Sequence, residues 1–267
     1  MTNFFNNFRK RLDQHNFFRG LIFLFAAGVV LIQLPKLLCD WIGWTVDYSI
    51  LGILSAIAAY GVVFAYLKLY PEYKMYYKEN LMIGLLFLFI LFLYLICTFV
   101  LENYSKFTLS ASGLALITGL SEEIGNREIM ISQLFRKYLK EQYIPIILIL
   151  TSIFFSLLHV FNLFYGQSLY DTINQCAFTL GFGFLMGAIF IRTGNVLPCI
   201  IAHFINNFLA FCCLGFKDHS MLLGIVEKSQ VIYYVFFILM IFISFYIVRK
   251  SKREDIIKLW KEKWNVK

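Results

Sequence analysis

From residue 231 to residue 248 the chain runs without a single charged side chain. A stretch of that length matches the roughly 20 residues an α-helix needs to cross the hydrocarbon core of a bilayer. Seven more apolar stretches of comparable length lie at about 17–34, 46–67, 81–101, 107–135, 144–165, 173–191 and 196–214. Within hydrocarbon the backbone must satisfy its own hydrogen bonds, so each stretch reads as a helix. The expected fold is all-α: a polytopic membrane helix bundle of about eight transmembrane helices. Composition agrees, with 15% charged residues where a soluble domain carries about 25%. Thirty Phe and sixteen Tyr exceed what a water-facing surface needs. A length of 267 residues suits one bundle with little room for a separate soluble domain.

The net charge of +8 follows the spans and not a nucleic-acid surface. Positive residues gather as Arg9, Lys10, Arg11 and Arg19, then Lys68, Lys74 and Lys78, then Arg136, Lys137 and Lys140, then Arg192, and finally Arg249, Lys250, Lys252 and Arg253. With eight spans all of these fall on one side of the membrane. The positive-inside rule then puts both termini in the cytoplasm. The first apolar run continues past Ala26-Ala27-Gly28, so it reads as a retained span and not as a cleaved signal. The six cysteines form no CxxC pair and read as small core residues. In the tail, Ile256, Leu259, Trp260 and Trp264 share a face among lysines. That pattern predicts an amphipathic helix lying on the anionic inner leaflet.

One span breaks the apolar rule. In Ser121-Glu122-Glu123-Ile124-Gly125-Asn126-Arg127-Glu128 four ionisable residues stand between two uncharged runs. Each costs about 2.5–3.5 kcal/mol at a helix centre on insertion scales, so they require partners inside the protein. Glu123 and Arg127 are four apart and can pair, while Glu122 projects about 100° away from Glu123. Two other spans carry matching polar groups: His159, one helical turn after Phe155, and His203 with Asn207 on one face. At about 1.5 Å per residue these groups lie roughly 11 to 22 Å into their spans, so one site built from three helices is feasible. A carboxylate beside imidazoles can deprotonate a water, and a His or Asn donor can stabilise an oxyanion. Glu122, His159 and His203 are also a plausible ligand set for a catalytic Zn, although there is no HExxH motif. Alone, each polar residue reads as packing or helix–helix bonding; intramembrane Glu and His also build proton relays in transporters.

Together the residues resemble a known set. Glu-Glu-x-x-x-Arg at Glu122, Glu123 and Arg127, Phe-x-x-x-His at Phe155 and His159, and His-x-x-x-Asn at His203 and Asn207, in this order, resemble the CPBP family of intramembrane proteases. This is the family of the type II CAAX prenyl endopeptidase and of bacteriocin-processing and self-immunity proteins. The resemblance implies a peptide hydrolase acting on a peptide or protein tail at the membrane. It implies Glu122 as the activator of water, His159 as its positioner, His203 and Asn207 as oxyanion donors, and Glu123 with Arg127 as a supporting pair. Many members read Phe-Arg-Gly around the arginine; here it is Asn126-Arg127-Glu128. The expected organisation is a protease domain over 1–248, its catalytic core at about 107–214, and a basic tail over 249–267. Abundant Phe, Ile, Lys and Asn point to an AT-rich genome and a bacterial cell membrane. The competing readings are an ion-coupled transporter and a non-catalytic immunity or scaffold protein.

Overall fold

The computed structural model describes residues 80–89, 91–93, 115–116, 118–120, 122–165, 167–214 and 223–263, with Asn7 and residues 41–43. The expected spans at 17–34 and 46–67 lie outside the described residues, as does most of the first half of the span at 107–135. Among the described residues every element is helical: α1 (Leu81–Phe87), a π-helical segment (Ile124–Ile131) leading into α2 (Ser132–Tyr138), α3 (Tyr143–Leu158) continued by a 3-10 stretch (His159–Tyr165), α4 (Leu169–Thr193), α5 (Leu197–Leu214), α6 (Leu223–Ile247) and α7 (Lys250–Lys263). Two helical stretches, Tyr143–Leu163 and Leu169–Thr193, are long and apolar enough to cross a membrane, and α6 with α7 makes a third only if the pair is counted as one span. Two to three spans are therefore visible here, and the count of eight is not.

The central helix is α4, which packs along both α3 and α6 and also touches the π-helical segment, α1, α5 and α7. Its start is set by Ser168, whose Oγ accepts from the Asp171 N–H at 3.1 Å. That bond satisfies one of the unpaired amides of a first turn. Its end is set by Gly194, which adopts φ 65° and donates its N–H to the Phe190 carbonyl at 2.7 Å. A left-handed residue here is nearly free for glycine and strained for others. The next helix begins three residues on, where Asn195 Oδ1 accepts from the Leu197 N–H at 2.9 Å and Pro198 occupies the first turn.

Burial runs opposite to that of a water-soluble bundle. On α3 the exposed residues are Ile146, Leu150, Ile153 and Leu157, one stripe at spacings of four, three and four. The opposite face turns Thr151, Ser152 and Ser156 inward. Their hydroxyls bond backbone carbonyls at Ile147, Leu148 and Cys176, so the polar atoms cost little where they are buried. On α6 the exposed stripe is Val235, Ile238, Leu239, Phe242 and Tyr246. Contiguous apolar faces of this extent suit lipid and not water, and the chain is an integral membrane protein.

The tail departs from expectation. Among the described residues, Ile256 and Trp260 of α7 are fully buried in protein. The Trp260 ring meets Phe135 edge-on at 4.8 Å and Phe190 at 5.3 Å, and its Nε1–H donates to the Ile191 carbonyl at 2.8 Å. The chain bends by 69° between α6 and α7, which folds the helix back onto the bundle. Amphipathicity marks an apolar face, but here the α4 end offers that face both aromatic partners and unpaired helix-terminal carbonyls. Protein therefore covers it instead of lipid headgroups.

Candidate active site

The glutamate pair opens a segment that is not the regular α-helix expected over 107–135. Residues Ile124–Ile131 are π-helical, with backbone bonds running i→i+5. A local cause is visible. The Asn126 side-chain amide donates to the Glu122 carbonyl at 2.9 Å, so a side chain competes for an acceptor that an α-helix would give to the backbone. Where many members of the family that the motifs resemble carry Phe, this chain carries the residue that makes that bond.

Gly119, one turn before the glutamates, lets this helix approach α5 closely. A Cβ at that position would lie 3.2 Å from the Phe204 nitrogen and 3.5 Å from His203 Cβ. The approach brings His203 between the two carboxylates. Its Nδ1 lies 2.8 Å from Glu123 Oε1, and its Nε2 lies 3.7 Å from Glu122 Oε2. Glu123 also pairs with Arg127, whose Nε lies 3.1 Å from Oε2. The spacing of four suggested this ion pair; the stronger link from His203 to Glu123, 80 residues away, had no sequence signal. Glu123 and Arg127 have no solvent exposure, whereas the Glu122 side chain keeps 14%.

Phe155 holds this arrangement from the α3 side. The Arg127 guanidinium lies 4.4 Å over its ring, while the His159 and His203 rings meet it edge-on at 5.2 and 6.2 Å. A cation over an aromatic face in a dry site gains on the order of 2 kcal/mol. This contact matters because, among the described residues, none of the three Arg127 nitrogens makes a well-directed hydrogen bond. Phe182 of α4 closes the cage, its ring 5.1 Å from His203; its position in an apolar run gave it no distinction in the sequence.

His159 stands where α3 gives way to the 3-10 stretch. Its Nδ1 lies 3.0 Å from the Phe155 carbonyl. That bond needs a proton on Nδ1, which leaves Nε2 as the acceptor in the neutral ring. Glu122 and His203 are its electrostatic neighbours. Asn207 lies one turn past His203 on α5, where its Oδ1 accepts from Asn206 Nδ2 at 3.4 Å. Its contact is thus with Asn206, a buried amide the motif reading passed over. The metal set fares differently. Among the described residues no three His, Cys, Asp or Glu side chains converge to hold an ion. Glu122, His159 and His203 as placed do not fit a three-ligand zinc, and no catalytic step is assigned to a metal.

Glu128, for which the sequence suggested no partner, is also accounted for. Its Oε1 lies 3.4 Å from Lys263 Nζ of α7, and the same ammonium donates to the Gly194 carbonyl at 2.6 Å. Burial pulls the Lys263 pKa below the usual lysine range, against the opposing pull of the Glu128 carboxylate.

Residues 104–209 match the family model described as Type II CAAX prenyl endopeptidase Rce1-like. No curated protein and no solved structure matches the chain. The matched segment contains every element of the site just described except α7. Over residues 104–209 the chain is similar to the Rce1-like type II CAAX prenyl endopeptidase family, CPBP.

Proposed function

We propose that the protein is an endopeptidase that hydrolyses a peptide bond of a membrane-associated peptide or protein tail, using water activated by Glu122. The observation that carries this reading is the buried His203 imidazole held between Glu123 at 2.8 Å and Glu122 at 3.7 Å. The shorter contact is a positioning bond. The longer one leaves a place beside Glu122 Oε2 for an attacking water.

In the proposed reaction Glu122 takes a proton from that water as it attacks the scissile carbonyl. His159 Nε2 accepts the water's other hydrogen and aims its lone pair. The developing oxyanion takes hydrogen bonds from protonated His203 Nε2–H and from the Asn207 amide, whose oxygen is already engaged by Asn206. Glu122 then returns the proton to the leaving amine. General base catalysis of this kind contributes about 10²–10⁴-fold, and each oxyanion donor about 10²–10³-fold. Glu123 and Arg127 act through His203 and touch no reacting atom.

The catalytic core is assigned to about 107–214 within a membrane domain over 1–248, in a bacterial cell membrane with both termini cytoplasmic. A role in bacteriocin processing or self-immunity falls within the same chemistry. The test compares peptides from cells carrying the native chain with peptides from cells carrying Glu122→Ala. The expected result is a product lost in the variant while the protein stays folded and membrane-inserted. An unchanged product profile would sink the proposal. Paired synthetic peptides differing only in a prenyl group then decide whether the lipid is recognised.

A further inference from the structure

The buried pair of Glu128 and Lys263 is not used by the proposed chemistry, yet it touches the segment that carries the chemistry. Glu128 follows Arg127 directly and lies within the π-helical stretch. Glu123 and Glu128 are five residues apart. In an α-helix that spacing puts two side chains about 140° apart. The i→i+5 register swings them toward one side. Each is held by a different distant element: Glu123 by His203 of α5 at 2.8 Å, Glu128 by Lys263 of α7 at 3.4 Å. Lys263 is itself tied to the end of α4 through the Gly194 carbonyl, one turn beyond the Trp260 bond to Ile191. Both members of the pair are essentially without solvent exposure.

We propose that Lys263 is a positioning residue for the site: through Glu128 it holds residues 122–131 in the π-helical register that presents Glu122 and Glu123 to His203. Release of Glu128 from Lys263 removes the attachment to α7, and the segment relaxes toward α-helical geometry. That turns the glutamates relative to α5. The catalytic part of this inference rests on the proposed peptidase reading, and its structural part does not.

Two measurements on the full chain in detergent micelles test it. Hydrogen–deuterium exchange reads the segment directly. Lys263→Gln and Glu128→Gln should each raise exchange within 122–131 while the middle of α3 and of α4 keeps its protection. The double variant should add nothing further, and Lys263→Arg should restore protection. Unchanged exchange in 122–131, exchange rising equally throughout the bundle, or effects that multiply in the double variant would overturn the proposal. Cleavage of a quenched prenylated peptide, normalised to folded protein, is the second measurement. A loss of kcat on the order of tenfold or more with KM held is expected from a small displacement of the reacting groups. A kcat equal to that of the native chain despite loosened exchange would reduce the pair to a stability element and refute its positioning role. If the native chain is inert on the peptide in both its prenylated and unprenylated forms, the peptidase reading fails, and the exchange measurement still decides whether α7 sets the register.

Discussion

Neutralising Glu123 is the most demanding test of the site's electrostatics. Glu123→Gln keeps the volume and one carbonyl oxygen but removes the charge that Arg127 and His203 share. Among the described residues, the Arg127 guanidinium then stays buried with the Phe155 ring as its remaining partner. Breaking a buried ion pair from one side costs about 3–5 kcal/mol, because the remaining charge is left uncompensated. The amide oxygen can still accept from His203, and the ring face still attracts the cation, so the lower end of that range applies. About 3 kcal/mol corresponds to a fall in apparent Tm of roughly 6–12 °C for a chain of this size. Pairing the change with Arg127→Met removes the orphaned charge as well. Most of the lost stability should return, because a neutral, well-packed replacement is often no worse than a buried pair. Activity should not return, since His203 has lost the carboxylate that aims it. The assay is thermal unfolding of the purified single and double variants in micelles, alongside peptide cleavage. A Glu123→Gln protein as stable as the native one, or a double variant less stable than the single, would refute the reasoning.

Other outcomes follow from individual contacts. Phe155→Ala should lower stability by about 3–5 kcal/mol and reduce cleavage further than stability alone explains, because one ring touches Arg127, His159 and His203; unfolding and kcat measured on the same preparation check this. Gly119→Leu should cost about 1–3 kcal/mol and weaken activity by forcing the glutamate helix away from α5, where even a Cβ would stand 3.2 Å from the Phe204 nitrogen. Trp260→Phe keeps the aromatic contacts but leaves the buried Ile191 carbonyl without its indole donor. A loss of about 1–3 kcal/mol is expected in a thermal melt.

The sequence spoke clearly wherever the physics is local. Apolar run length located α3, α4 and α6 to within a few residues at the ends nearest the charged loops, and the spacing of four located the Glu123–Arg127 pair. The order of the three motifs pointed to the family before any geometry was known. What it could not convey depends on distance in the chain or on register. His203 is 80 residues from Glu123, and Lys263 is 135 from Glu128; no periodicity links them. The π-helical turn is invisible because apolar patterning is read at 3.6 residues per turn, while the contacts at this turn include a single side-chain bond from Asn126. The apolar face of α7 was legible, but hydropathy cannot tell a face that meets lipid from one that meets Phe135 and Phe190.

The π-helical turn also makes chain length a variable of the chemistry. A segment wound this way holds more residues per unit of rise than an α-helix bridging the same gap, so it can lose one without shortening the span. Gly125 is the natural place, since a Cβ there would meet nothing within 4 Å. Deleting it would let the helix rewind at ordinary pitch while α2 and everything downstream stayed where they are. Upstream, each side chain would advance about 100° around the axis, which is the angle separating neighbouring residues. Glu122 would then stand near the bearing Glu123 now holds and Glu123 near that of Ile124, so a single deleted codon would hand the contact with His203 from one carboxylate to its neighbour without removing either.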